Sequence, residues 1–240
     1  MFGRRDIAAW VAEFLGTGAL TLLILSVQRS TIGVPFFVAT AAGLIVVLMS
    51  FAVGGISGGY FNPALTFGFW TARKLASIPA LMYILVQFLG AWGAYYLYTY
   101  FVKTSLQPVG GHYTGRILVA EAVGTGLFSL GVASAVYQGF SRAVTASFAG
   151  LSLMLGIIAA SSASIGLLNP AVALGVRAWV WQTYVLGPVV GAVIGVNLYA
   201  WLFADAGKGT AKAAVAAPAA LKGITAKRSS AKKKSSRGKK

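Results

Sequence analysis

The triplet Asn-Pro-Ala occurs twice in this chain of 240 residues, at Asn62-Pro63-Ala64 and at Asn169-Pro170-Ala171. Asn is a favoured N-cap, and Pro at the first helical position gives up no hydrogen bond, so each triplet predicts the start of a helix. A helix N-terminus carries about half a positive charge. Two such ends in an apolar chain predict a pair of short helices aimed at one pore rather than two unrelated helix caps.

Two carboxylates lie inside otherwise apolar stretches, Glu13 and Glu121. A carboxylate within a membrane helix is energetically expensive and is generally paired or functional. Each could serve as a proton relay in a coupled transporter. Alternatively, each could be a scaffold that accepts backbone N–H bonds from the non-helical chain before an Asn-Pro-Ala. Their equivalence under an internal repeat favours the scaffold.

The repeat relates the two halves of the chain at an offset of 107 or 108 residues. VAEFLGTG at 11–18 matches VAEAVGTG at 119–126, and AGL at 42–44 matches AGL at 149–151. A repeat of this length has to be considered before any local feature, because it determines the architecture. Each half is predicted to hold three membrane spans, and because three is odd, the second half must lie inverted in the bilayer.

The composition is that of a polytopic membrane protein, with 58% hydrophobic residues, 10% charged residues and a mean hydropathy of +0.78. Spans are predicted at 8–27, 34–53, 79–101, 117–137, 143–161 and 182–203. The Asn-Pro-Ala runs at 62–72 and 169–177 are too short to cross, which predicts re-entrant half-helices. The predicted fold class is an all-α membrane protein with six transmembrane helices and two half-helices in an inverted 3+3 repeat.

The predicted organisation is one channel-like domain at 1–205, with repeats at about 8–101 and 116–203, and a basic tail at 206–240. The tail holds 11 of the 20 Lys and Arg residues and few large apolar residues, which predicts disorder. Its charge places both termini in the cytoplasm, with the cell membrane as the expected location. We interpret the tail as a solvated topology signal or a contact for anionic lipid, and rank nucleic-acid binding behind both.

The residue inventory argues against an enzyme. The chain has no Cys, one His and no Asp within the predicted spans, which leaves no acid–base, thiol or metal-binding constellation. We therefore expect no catalytic residue, no metal and no cofactor. His112 lies in the Gly-rich loop at 104–115, and we interpret it as a solvent-facing residue rather than a pH gate.

Several motifs together resemble the aquaporin, or major intrinsic protein, family over residues 8–203. They are the opening AEFLGTG at 12–18, the run GGISGGYFNPA at 54–64, the second Asn-Pro-Ala and Gly187-Pro188. The resemblance implies a homotetramer in a lipid bilayer with one pore per subunit. It also implies that Asn62 and Asn169 meet at the midplane and donate N–H groups to a single file of water. Such donors would orient the central water and interrupt proton hopping, while the half-helix ends oppose cations.

The resemblance also assigns an outer constriction to four residues, Ala42, Ile157, Gly166 and Val172. Val172 stands where water-selective members carry an Arg, so the constriction is expected to be wide and apolar. Further markers conflict: Arg177 and Val185 look like the glycerol branch, whereas Ala173 and Tyr184 do not. Arg177 is expected to line the mouth rather than the constriction.

The predicted function is a passive channel for water that also admits small neutral solutes. The main alternative is a glycerol or ammonia facilitator with low water selectivity. An inverted-repeat secondary transporter is a less favoured alternative. It would need a substrate site with several convergent polar groups, and the sequence offers only two Asn and two Glu for one. An ion channel would need a ring of charges or carbonyl groups in the pore.

Overall fold

The computed structural model describes residues 2–204, and all regular structure within that range is helical. The helices are α1 (Arg4–Gln28), α2 (Pro35–Ser57), α3 (Pro63–Thr71), α4 (Ser77–Val102), α5 (Gly115–Tyr137), α6 (Arg142–Ala160), α7 (Pro170–Gly175) and α8 (Gly187–Leu198). Five of these are long and apolar enough to cross a membrane, and Gln182–Phe203, which contains α8, is the sixth. The two remaining helices are the short ones that follow the Asn-Pro-Ala triplets.

The predicted fold class is confirmed, with six spanning helices and two half-helices. The predicted ends lie within a few residues of the observed ones, for example 34–53 against Pro35–Ser57. Helix α2 extends beyond its predicted end at residue 53 and reaches Ser57. It stops there because the next residue, Gly58, adopts the left-handed conformation, with φ 102°. The predicted tail at 206–240 falls outside the described residues.

The sixth span is not a uniform α-helix. Wider π-helical turns cover Gln182–Leu186 and Tyr199–Phe203, on either side of α8. Pro188 accounts for the first of these, because Pro lacks an N–H and its ring crowds the carbonyl group four residues earlier. An added residue in the turn relieves that clash, and the helix continues.

Packing follows the inverted repeat. Helix α1 packs against α4 in the first half, and α5 packs against α8 in the second half. Helix α2 packs against α6, which is its equivalent in the second half. The half-helices exchange partners: α3 lies against α8 of the second half, and α7 lies against α4 of the first half. Neither half therefore completes its own half-helix site.

The α2–α6 crossing depends on one pair of glycines related by the repeat, Gly43 and Gly150. A Cβ added to Gly43 would lie 2.8 Å from the Gly150 carbonyl oxygen, and a Cβ on Gly150 would meet the Gly43 carbonyl oxygen. Small residues allow this close backbone approach within a membrane. Large apolar side chains related by the same repeat face outward, Leu44 and Leu48 on α2 and Leu151 and Leu155 on α6.

Candidate pore site

Each Asn-Pro-Ala asparagine caps its half-helix through its side-chain oxygen. Oδ1 of Asn62 accepts hydrogen bonds from Ala64 N at 2.8 Å and Leu65 N at 3.4 Å. Oδ1 of Asn169 accepts from Ala171 N at 3.0 Å and Val172 N at 3.3 Å. These bonds satisfy N–H groups that have no partner inside the helix.

The amide nitrogens of the same two asparagines bond across the repeat. Nδ2 of Asn62 donates to Leu168 O at 2.8 Å, and Nδ2 of Asn169 donates to Phe61 O at 2.9 Å. Both side chains are buried. An amide nitrogen carries two N–H groups, so one donor on each asparagine remains beyond the crossed bond. The two half-helix N-termini thus meet, with each asparagine fixed at both ends of its amide.

The residue before each asparagine adopts the left-handed backbone conformation. Phe61 has φ 48° and Leu168 has φ 53°, which is uncommon for side chains other than Gly and Asn. This conformation costs on the order of 1–3 kcal/mol per residue unless the surroundings impose it. Here each residue is held on both sides, because its carbonyl accepts the crossed bond and its N–H bonds a buried carboxylate.

Glu13 supplies the first of those carboxylates. It accepts hydrogen bonds from Phe61 N at 2.6 Å and Tyr60 N at 3.0 Å. The side chains of Ser57, at 2.6 Å, and Gln87, at 2.8 Å, donate two more. Glu13 is fully buried, and four donors surround its two oxygens.

Glu121 holds the second approach in the same way, with one fewer donor. It accepts from Leu167 N at 3.0 Å, Leu168 N at 2.8 Å and the Ser164 hydroxyl. It is also fully buried. The first half differs because Gln87 Nε2 also donates to Thr66 Oγ1 at 2.9 Å, which ties the carboxylate to α3.

The serines of this network were missed by the sequence analysis, although the repeat carried the signal. Ser57 and Ser164 each stand five residues before an asparagine of the repeated triplet. Each donates to the glutamate of its own half. The repeat could not have identified Gln87, because the second half has no glutamine at the equivalent position.

The four residues assigned to the constriction are all buried. Ala42, Ile157 and Val172 belong to one hydrophobic cluster. Gly166 lies against Ile157: a Cβ on Gly166 would come within 2.9 Å of the Ile157 carbonyl oxygen and 3.2 Å of its Cγ2. Gly166 also has φ 66°, which glycine adopts without strain.

Arginines tie the loop at 104–114 to the residues that follow α7. Arg177 Nη1 donates to Leu106 O at 2.5 Å, and the Arg177 carbonyl accepts from Val109 N at 3.1 Å. Arg29, which the sequence analysis did not single out, donates through Nη2 to Gln107 O at 2.8 Å and to Val176 O at 3.4 Å. Tyr184 completes the attachment by donating to Gly110 O at 2.9 Å.

Comparisons with known proteins agree with this arrangement. The profile of the family described as "Major intrinsic protein" matches residues 4–199. Aquaporin Z of Photorhabdus laumondii is 29% identical, over 81% of this chain and 96% of the relative. Glycerol uptake facilitator protein-like 6 of Lactiplantibacillus plantarum is 30% identical, over 77% of this chain and 93% of the relative.

A solved structure has the same fold. The X-ray structure of the aquaglyceroporin from Plasmodium falciparum superposes with a TM-score of 0.72 at 18% identity, covering 85% of this chain and 99% of that one. The crossed asparagine bonds, the two carboxylate-held approaches and the profile match over nearly all described residues lead to one conclusion. This chain belongs to the major intrinsic protein family.

Proposed function

We propose that this channel of the major intrinsic protein family conducts water passively and admits small neutral solutes. The crossed asparagine pair carries the proposal. Each Nδ2 has one N–H engaged across the repeat and one N–H to offer. A water molecule passing between two fixed donors replaces part of the hydrogen bonding that it loses on leaving bulk water.

Proton exclusion follows from the same geometry. Two donors on one side turn the oxygen of the central water toward them, and both its hydrogens then point away. The two half-helix N-termini add positive potential at the same point, which opposes hydronium and other cations. No charged side chain is required at this position.

The cargo beyond water is set by the proposed constriction of Ala42, Ile157, Gly166 and Val172. None of these side chains offers a hydrogen bond, so a hydroxyl group entering among them loses water partners and gains none. The cost is about 1–3 kcal/mol. This apolar lining also supports the alternative of a glycerol or ammonia facilitator with low water selectivity. The names of the relatives, an aquaporin and a glycerol facilitator, fit either cargo.

Positive charge at the mouth is proposed to come from Arg177 and Arg29 in place of an arginine at position 172. Both guanidinium groups bond loop carbonyls, so their positions are fixed by the fold. We propose that they stand beyond the constriction, where they would raise the local potential without narrowing the pore. This supports Arg177 as a mouth cation.

The buried glutamates are proposed to be scaffolds. Each carboxylate is occupied by N–H and O–H donors that hold the chain before an Asn-Pro-Ala. A proton relay would require a carboxylate that gains and loses a proton during transport. Protonation here would break bonds that fix Phe61 and Leu168, so the transporter alternative conflicts with the pore geometry.

The proposed setting is a homotetramer in the cell membrane with both termini in the cytoplasm. Outward-facing leucines on α2 and α6 supply apolar surface for lipid or for neighbouring subunits. The tail, which is outside the described residues, is proposed to contact anionic lipid through its Lys and Arg residues.

Stopped-flow light scattering on proteoliposomes tests the function. An osmotic gradient of an impermeant sugar gives the water permeability, and a glycerol gradient gives the solute permeability of the same vesicles. We expect rapid water flow with a low activation energy and slower glycerol entry. An activation energy equal to that of protein-free vesicles would reject a water channel, and glycerol flux exceeding water flux would favour the facilitator.

A further inference from the structure

The hydroxyl of Thr66 holds the backbone carbonyl of Asn62 from inside the half-helix α3. Thr66 stands one turn after Asn62, and its Oγ1 donates to Asn62 O at 2.8 Å. The same carbonyl accepts the helical bond from Thr66 N at 2.9 Å. Thr66 is fully buried, so solvent does not compete for either bond. Two donors of one residue therefore hold the Asn62 carbonyl.

A buried amide on α4 fixes the direction of that hydroxyl. Gln87 is fully buried, and its Nε2 donates to Thr66 Oγ1 at 2.9 Å and to Glu13 Oε2 at 2.8 Å. An amide nitrogen carries two N–H groups, so both are used, and reversing the amide would turn its oxygen toward the carboxylate. The competing contact from Thr66 Oγ1 to Gln87 Oε1 is longer, at 3.4 Å. Because Thr66 receives an N–H from Gln87, it gives its own O–H to Asn62.

These bonds link Glu13, Gln87, Thr66 and Asn62 in one direction, and we call the four residues the Gln87 clamp. Hydrogen bonds that follow one another in a series polarise and strengthen each other. Both ends of the clamp belong to the pore site, because Glu13 also accepts from Phe61 N and the Asn62 amide makes the crossed bond. The clamp thus fixes the backbone of the residue whose side chain bonds across the repeat.

The second half-helix has no such clamp within residues 2–204. The offset of 107 residues places Ala173 at the position of Thr66. Ala173 N donates to Asn169 O at 2.9 Å, and the methyl side chain adds no second donor. The donors to Glu121 all come from the segment 164–168, which precedes α7. The backbone of Asn169 is therefore held by fewer bonds than that of Asn62.

This asymmetry gives the two asparagines different roles. We propose that Gln87 and Thr66 are positioning residues, which hold Asn62 so rigidly that Asn62, more than Asn169, fixes the orientation of the central water. The inference rests on the proposed function, in which fixed donors interrupt proton hopping. A donor that moves with a loose backbone lets the water turn, and a water that turns can pass a proton on. The clamp should therefore matter more for proton exclusion than for the rate of water flow.

Hydrogen–deuterium exchange tests the clamp without reference to transport. In the full chain in detergent, peptides covering 60–66 and 167–173 report on the two asparagines separately. Thr66→Val keeps the shape of the side chain but removes the hydroxyl, so exchange at 60–66 should speed up severalfold, while exchange at 167–173 changes less. Thr66→Ser restores the hydroxyl and should restore slow exchange.

Thr21→Val is the matched control, because Thr21 is also fully buried and its hydroxyl donates to the carbonyl four residues earlier, that of Thr17, at 2.8 Å. Its exchange at 60–66 should equal that of the wild type. Gln87→Met breaks the clamp at its other end and carries the test should Thr66→Val fail to fold. If the clamp acts as one unit, adding Thr66→Val to Gln87→Met should change exchange little further. Additive effects would overturn the clamp, and so would equal exchange in Thr66→Val and Thr21→Val.

Conduction is then measured in proteoliposomes loaded with a pH-sensitive dye, so that proton and water permeability come from the same vesicles. The ratio of proton to water permeability should rise severalfold in Thr66→Val and Gln87→Met, and should stay at the wild-type value in Thr66→Ser and Thr21→Val. Structural damage alone would lower both permeabilities and leave their ratio unchanged, which would overturn the positioning role. A wild type that does not conduct water would reject the proposed function, while the exchange data would still decide whether the clamp holds Asn62.

Discussion

Asn62 and Asn169 use both ends of their amides, so Asp at either position keeps the helix cap and loses the crossed bond. In Asn62→Asp, a carboxylate oxygen faces the Leu168 carbonyl where Nδ2 now lies 2.8 Å away. We expect loss of water permeability and a fall of about 1–3 kcal/mol in stability. Osmotic permeability and thermal unfolding of the same preparation measure both effects.

The control is Asn197→Asp, because the Asn197 amide is likewise bonded through Nδ2, which donates to Thr71 Oγ1 and to Val193 O, both at 2.8 Å. This variant should lose stability and keep its water permeability per folded molecule. If Asn62→Asp conducts as well as Asn197→Asp, the asparagine pair does not control passage.

Glu13→Gln and Glu121→Gln test the scaffold role at the same scale. An amide keeps one acceptor but turns its NH2 toward backbone N–H donors, leaving at least one of them unsatisfied at a cost of about 1–3 kcal/mol. We expect lower unfolding temperatures with unchanged selectivity, measured in detergent and in proteoliposomes. Asp6→Asn is the control, since the Asp6 carboxylate accepts its bond from Gly3 N at the exposed start of α1. Proton-coupled uptake that disappears while folding is intact would favour the transporter.

Val172→Arg addresses the proposed constriction. An Arg there would fill part of the apolar lining and add a full charge, so solute flux should fall more than water flux. The ratio of glycerol to water permeability measures the change, and Val172→Ala should leave that ratio close to the wild-type value. If Val172→Arg leaves the ratio unchanged, then other residues form the constriction, and Arg177 is the first candidate.

At the scale of the elements, the α2–α6 crossing allows a direct test. Gly43→Ala would place a methyl group 2.8 Å from the Gly150 carbonyl oxygen and 3.0 Å from Met154 Cβ. Overpacking of this kind costs about 1–3 kcal/mol, so the unfolding temperature should fall. Gly54→Ala on the same helix meets its nearest neighbour at 3.5 Å and should be neutral or stabilising. Equal effects of the two changes would mean that α2 and α6 are not held by their glycines.

The sequence predicted the elements better than the contacts between them. Hydropathy located six spans, and the Asn-Pro pairs located both half-helices, because each signal is local. The packing of α3 against α8 and of α7 against α4 could not be predicted from such local signals, since it depends on which helix surfaces meet in the folded protein. The same holds for Arg29, whose bond to Gln107 O joins residues that are distant in sequence and carry no shared motif.

At the scale of the whole molecule, the charge distribution predicts a separable tail. Deleting 207–240 removes most of the Lys and Arg of the chain but none of the residues of the pore site. Water permeability per inserted molecule should stay nearly unchanged, whereas binding to anionic vesicles should weaken. A full-length control with the tail Lys and Arg replaced by Gln separates charge from length. Loss of conduction in correctly inserted truncated protein would instead assign gating to the tail.

The crossed asparagine bonds have a consequence for synthesis. Phe61 and Asn62 leave the ribosome 107 residues before Asn169, which at 5–20 residues per second is a delay of roughly 5–20 s. Throughout that time the Asn62 amide and the Phe61 carbonyl lack the partners that Leu168 and Asn169 later supply. An unsatisfied amide and carbonyl do not settle in hydrocarbon. We therefore expect the first half-helix to reach its final position only after translation has passed the second triplet, so that the two half-helices insert together.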